Sequence, residues 1–277
     1  MIVCAHGYSG NARDFDYLAS RLAKDARVIS IDFPGRGGSE WLTASIEYNF
    51  AQFVADARTL LAQQGLKSVD WIGTSMGGLL GMMLASQPSS PVRRLVMNDI
   101  GAYIPMGALR EISRGLEAPE AFATLDEVEA HLRRTRAEWG PIEDAEWKAM
   151  ALHNSRALRP ASRGFRLHFD PRIAQLARPM PLTPGLFFWD AWYRVRCPVL
   201  LLRGEQSRVL PRNVADTMLD VRPDARLVEV AGCGHVPSLM TEDQVTLVRD
   251  FLQDGGVPAE EPRRAATTRP AIPSRAA

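Results

Sequence analysis

The stretch Val69-Asp70-Trp71-Ile72-Gly73-Thr74-Ser75-Met76-Gly77-Gly78 decides the fold of this chain. An apolar run of strand character ends at Ile72, and a helical pattern starts near Gly77. Between them the backbone passes from strand to helix within a few residues, with Ser75 at the apex. So sharp a turn strains the serine backbone. It also brings the residues two before and two after the serine together, so both must be small. The strain lifts the Ser75 hydroxyl to the top of a sheet, beside a helix N-terminus whose N–H groups face a developing negative charge. Gly and Ser are common, so the pattern alone is weak. Its meaning rests on what lies on either side.

Further apolar runs bounded by turn residues occur at Ile2–Ala5, Val28–Ile31, Leu95–Asn98, Val199–Leu202 and Leu227–Val230, besides Val69–Ile72. Amphipathic helical patterns alternate with them, at about Ala12–Ala23, Tyr48–Gln64, Gly77–Ser86, Arg212–Asp220 and Glu242–Gln253. This alternation predicts an α/β fold: a mostly parallel, doubly wound sheet covered on both faces. Right-handed crossovers then place the loops after each strand on one edge, where ligands bind.

From about Tyr103 to Trp192 no convincing strand appears. The interval reads as several helices, rich in Arg, Glu and aromatic residues and punctuated by prolines. It is too long for a plain loop and reads as a helical cap inserted between two strands. The expected organisation is a core of residues 1–102 and 193–253, a cap of 103–192, and a tail of 254–277. The tail's Pro, Ala and Arg content predicts disorder. The cap aromatics, Trp139 and Trp147 among them, read as its core, with a minority lining a pocket.

Composition narrows the function classes. The 277 residues are 46% hydrophobic and 23% charged, ordinary for one large globular domain with an insertion. A formal net charge of +1 offers no argument for nucleic acid or an anionic membrane. Cys4, Cys197 and Cys233 form no CxxC pair, which disfavours structural zinc and a disulfide scaffold and fits reduced thiols. There is no apolar stretch of transmembrane length and no signal-like start. A cytoplasmic protein acting on a small molecule is expected, with no nucleic-acid or membrane partner.

His6-Gly7-Tyr8 follows the first strand. At that position the loop can supply one oxyanion-binding N–H, from Tyr8, with the second from Met76 after the serine. His6 itself reads as a turn histidine that steadies the loop. His235 lies in Gly232-Cys233-Gly234-His235-Val236-Pro237, just after the last strand, where a general base must sit to reach back to a serine. His131, His153 and His168 fall in the cap, and His131 reads as an exposed helix residue.

Together these pieces resemble the α/β-hydrolase superfamily over nearly the whole chain. The resemblance is carried by His6-Gly7, Asp32-Phe33-Pro34-Gly35-Arg36-Gly37-Gly38-Ser39, Gly73–Gly78, Asn98-Asp99-Ile100-Gly101, Arg203-Gly204-Glu205 and Gly234-His235. It implies an esterase-like Ser–His–acid hydrolase with a helical cap and no cofactor. Ser75 at the elbow disfavours the dehalogenases and epoxide hydrolases similar to this fold, which use an aspartate there. Hydrolysis of a carbon–carbon bond by the same residues is a variant. The fold does not name a substrate.

Two departures stand out. Similar proteins carry an aspartate a few residues after the strand Val199–Leu202, where this chain has Ser207 and Arg208. Asp99, after the strand Leu95–Asn98, and Glu205 are the substitutes, with Asp99 placed first. Alternatively, Asp99 is a turn aspartate and Glu205 a partner of Arg203 or Arg208. With neither acting, the chain reads as a capped small-molecule binder with an impaired triad. The second departure is the start. Similar proteins have two strands before Ile2–Ala5, and without them Val28–Ile31 becomes an apolar sheet edge that invites pairing. A shortened N-terminus is expected, or a homodimer through that edge.

Overall fold

Successive residues of each central strand point to opposite faces of one sheet, and the two faces are covered by different helices. The computed structural model describes residues 1–115, 119–160, 164–177 and 183–253. Its strands are β1 (Ile2–Ala5), β2 (Val28–Ile31), β3 (Val69–Thr74), β4 (Val92–Asn98), β5 (Tyr103–Pro105), β6 (Ser155–Ala157), β7 (Phe165–Leu167), β8 (Gly185–Phe187), β9 (Val199–Gly204) and β10 (Arg226–Val230). Six of them form a parallel sheet in the order β10-β9-β4-β3-β1-β2. The helices are α1 (Asp16–Leu22), α2 (Phe50–Gln63), α3 (Met76–Ala85), α4 (Met106–Gly115), α5 (Leu125–Thr135), α6 (Asp144–His153), α7 (Trp189–Arg194), α8 (Arg212–Val221) and α9 (Glu242–Gln253).

The period of two is visible in the packing. Val3, Ala5, Trp71, Leu95, Met97 and Leu201 join one core with α2, α3 and α8. Ile2, Cys4, Ile72, Val96, Leu200 and Leu202 join the other with α1 and α9. α2 turns Phe53, Val54, Ala57 and Leu61 inward, a helical stripe, and begins where the Asn49 side chain accepts from the Gln52 N–H at 2.9 Å. α3 is buried along nearly its whole length, as its unbroken apolar composition requires.

The six strands fall where the apolar runs predict them, and the α/β architecture is as expected. The chain leaves β1 toward β2 on one side and returns to β3 on the other. This reversal opens a crevice at the carboxyl ends of β1 and β3, the position that ligands take in open α/β sheets. β2 pairs only with β1 and is a sheet edge among the described residues.

The 103–192 segment departs from the purely helical reading. Among its described residues it holds four three-residue strands, paired as β5 with β8 and β6 with β7, alongside α4 to α7. It also packs in two ways. α5 and α6 build a small core of their own with Val128, Leu132, Trp147 and Met150. Ile104, Met106, Leu109 and Trp192 instead join the main core. His131 is buried, not exposed: it lies edge-to-face with Phe122 at 5.3 Å, inside the α5–α6 core. The tail expected from 254 onward lies outside the described residues.

Candidate active site

Ser75 stands at the strand-to-helix turn with φ +49° and ψ −114°, a conformation a non-glycine residue holds only when its surroundings force it. Here the forcing is visible. A Cβ on Gly73 would collide with the backbone of Gly77 and Gly78, and one on Gly77 with the carbonyl of Ala5. The Ser75 N–H also donates to the Asn98 carbonyl at 2.8 Å, tying the turn to β4.

Ser75 Oγ lies 3.0 Å from His235 Nε2. His235 Nδ1 lies 2.7 Å from Asp99 Oδ2. Asp99 follows β4, is 0% exposed, and takes φ +57°, which aspartate tolerates better than most residues. Its carboxylate has three partners: the Gly204 N–H donates to Oδ1 at 2.8 Å, the Ser207 hydroxyl donates to Oδ2 at 2.6 Å, and His235 Nδ1 faces the same Oδ2. A buried carboxylate needs such partners. The sheet order explains the placement. β4 lies between β3, which carries Ser75, and β9, which leads into the Ser207 loop.

Glu205 is placed elsewhere. It is exposed, and its Oε2 accepts from the Gly232 N–H at 3.0 Å, while the imidazole nitrogen it would serve is taken by Asp99. The structure therefore does not bring Glu205 to His235; its carboxylate braces the loop at Gly232. Ser207, noted in the sequence only for not being an aspartate, is the residue that reasoning missed. Its oxygen accepts from the N–H groups of Val209 and Leu210 at 3.2 and 3.1 Å while its proton goes to Asp99. Its position in the loop was the only available signal.

The His235 loop is held from both ends by the 137–139 turn. The Gly234 N–H donates to the Glu138 carbonyl at 2.7 Å and the Ser238 N–H to the Trp139 carbonyl at 3.1 Å. Asn98 Nδ2 adds a bond to the Pro237 carbonyl at 2.8 Å.

Tyr8 lines the cavity above Ser75, and Met76 follows Ser75 directly in the chain. Met76 opens α3, and the leading N–H groups of a helix have no acceptor within it. His6 lies buried beside them. Its Nε2 is 3.0 Å from the Phe33 N–H and its Nδ1 2.6 Å from the Gly7 carbonyl, which assigns the proton to Nδ1. Burial first, and the Arg36 guanidinium second, push its pKa down to about 4, so the ring is neutral and serves the loop.

Above Ser75 opens a cavity of about 400 Å³, walled by Ile112 and Trp139 among others and crossed by Arg208. Arg208 pairs with Glu111 at 3.1 Å and Glu138 at 3.0 Å, both also on the wall. The cavity is thus of ligand size and carries more charge than the aromatic cap sequence suggests. No helix among the described residues is long and apolar enough to cross a membrane.

Comparison with known proteins agrees with this fold. The sequence profile of the alpha/beta hydrolase family matches residues 2–249. The chain is 36% identical to a 3-hydroxybutyrate-oligomer hydrolase of Cupriavidus necator over 260 residues, covering 91% of this chain and 88% of that protein. A putative hydrolase from Rickettsia typhi superposes with a TM-score of 0.85 at 29% identity, covering 91% of this chain and 86% of the other. An alpha/beta hydrolase from Novosphingobium aromaticivorans does so with a TM-score of 0.80 at 30% identity, covering 91% and 88%.

Proposed function

The chain belongs to the α/β-hydrolase family, and within it we propose that it is a serine esterase working through an acyl-enzyme. The observation that carries this reading is the unbroken line Ser75 Oγ, His235 Nε2, His235 Nδ1, Asp99 Oδ2, with steps of 3.0 and 2.7 Å. His235 accepts the Ser75 proton as the oxygen attacks an acyl carbonyl. The Tyr8 and Met76 N–H groups receive the carbonyl oxygen as it becomes an oxyanion. Asp99 keeps the Nδ1 proton in place and stabilises the imidazolium. His235 then passes its proton to the leaving alcohol, and a water molecule, activated by the same nitrogen, releases the acid.

The substrate class follows from the cavity and the relative. A cavity of about 400 Å³ with mixed apolar and charged walls suits a short ester that is itself partly polar. The 36% identity to a 3-hydroxybutyrate-oligomer hydrolase supports short oligoesters of hydroxy acids as the natural substrates. The rival reading, a capped binder with an impaired triad, drew its support from the missing aspartate after β9, and Asp99 supplies a carboxylate at that nitrogen.

The test is to incubate the protein with 3-hydroxybutyrate dimer and trimer and with p-nitrophenyl butyrate. Release of monomer, with an acyl adduct on Ser75 in intact-mass spectra of quenched p-nitrophenyl ester reactions, is expected. A folded protein that cleaves none of these and forms no adduct contradicts the proposal.

A further inference from the structure

Arg36 is 0% exposed, yet no carboxylate among the described residues lies within ion-pair distance of it. Asp170, which attracts it from farther away, is already engaged by Arg172 at 2.7 Å and by the Tyr48 hydroxyl at 2.6 Å. A buried cation without a paired anion is costly, so the sequence places it at the expense of stability. Its neighbours on either side aim it inward. Gly35 and Gly37 take φ +83° and +51°, and a Cβ on either would strike Tyr48 or Asp32 respectively.

The side chain ends on Tyr8 and Met76, the two residues to which the proposed reaction gives the oxyanion. Nε donates to the Tyr8 carbonyl at 2.9 Å, Nη1 to the Pro34 carbonyl at 2.8 Å, and Nη2 points at Met76 Sδ at 3.6 Å. The guanidinium also faces the Phe53 ring at 5.1 Å and the Tyr8 ring at 5.7 Å. Burial pulls its pKa down only to about 10, so the group is charged at neutral pH.

We propose that Arg36 is a positioning residue for the reaction: its guanidinium fixes Tyr8 and Met76 as the two walls of the oxyanion hole and keeps a positive charge behind them. This inference rests on the serine-esterase reading above. Its physical content is preorganisation. Donors that are already aimed, in a water-poor site, need no reorganisation when charge reaches the carbonyl oxygen. That charge exists only in the transition state, so losing Arg36 lowers kcat and leaves KM nearly in place.

The experiment compares wild type, Arg36→Met and Arg36→Lys on p-nitrophenyl butyrate, with melting temperatures and the Ki of an alkyl boronic acid that binds as a tetrahedral anion. Arg36→Met is expected to lower kcat by about ten- to a hundredfold with KM within about threefold. The boronate Ki should rise in the same proportion, and Arg36→Lys, which keeps the charge, should recover at least part of kcat. A folded Arg36→Met with unaltered kcat overturns the inference, as does a loss carried wholly by KM or one that lysine does not relieve. If Arg36→Met does not fold, Arg36→Gln, which keeps a polar end and loses the charge, decides against wild type: a lower kcat at constant KM supports the role, and an equal kcat overturns it. A wild-type chain that forms no acyl-enzyme removes both readings, whereas an active wild type with unmoved Arg36 variants removes this one alone.

Discussion

Ser207 donates its hydroxyl to Asp99 Oδ2 at 2.6 Å, the oxygen that also faces His235 Nδ1 at 2.7 Å. A residue from the loop after β9 therefore holds a carboxylate delivered from the end of β4. A carboxylate at the end of β4 thus meets the imidazole, and the loop after β9 supplies a hydrogen bond that orients it.

The first prediction separates the two carboxylates. Asp99→Asn presents an amide donor to a nitrogen that already carries a proton, which disfavours the productive tautomer. Ester turnover should fall about 10³- to 10⁴-fold in steady-state assays. Glu205→Gln should keep kcat and KM within about twofold, because that side chain only braces Gly232.

Ser207→Ala tests the support itself. It removes one of three partners of the buried carboxylate and also the acceptor for the Val209 and Leu210 N–H groups. A loss of about 1–3 kcal/mol in urea unfolding is expected, since the bonds involve a charged group and buried amides. A fall in kcat of about tenfold should accompany it, less than in Asp99→Asn because the Gly204 N–H still holds the carboxylate.

Much of this was legible in the sequence, for reasons the structure makes plain. β1, β3, β9 and the Leu95–Asn98 part of β4 are buried almost throughout, so each shows as an apolar run, and β1 and β2 begin and end where such runs do. Ser75 and His235 sit at strand ends in glycine-rich turns, a local signal. The choice between Asp99 and Glu205 was not legible, because it depends on β4 lying between β3 and β9, and strand order is written nowhere along the chain. β5 to β8 span three residues each, too short for a period to register. His131 looked solvent-facing because Phe122, which covers it, precedes the helix and follows no periodicity.

A third prediction concerns pH. His6 has its pKa pushed from 6.5 to about 4 in the folded chain. Between those values the unfolded chain binds a proton that the folded chain does not, so stability is complete above about pH 6.5 and declines as pH falls toward 4. The decline due to His6 amounts to about 3 kcal/mol. Urea unfolding of His6→Gln, whose Oε1 can still accept from Phe33, should show a flatter pH dependence across that window than wild type.

A fourth prediction concerns the attachment of the 103–192 segment. Arg136 lies 3.6 Å from Asp14 Oδ1 and 2.9 Å from Asn154 Oδ1, and Asn154 also donates to Asp14 at 2.9 Å. Its guanidinium faces the Trp139 ring at 4.5 Å, on the cavity wall. Arg136→Met leaves Asp14 with one partner fewer, and a loss of about 3 kcal/mol is expected in urea unfolding. KM should rise as Trp139 loses its support, while labelling of Ser75 by a small probe continues.

The most direct test of the central claim is the rate at which a fluorophosphonate labels Ser75. The relay of Ser75, His235 and Asp99 predicts rapid labelling of the wild-type chain at Ser75 and none in Ser75→Ala. It also predicts rates at least about a hundredfold lower in His235→Ala and Asp99→Asn. A folded wild-type chain that resists the probe, or an Asp99→Asn variant labelled as fast as wild type, would contradict it.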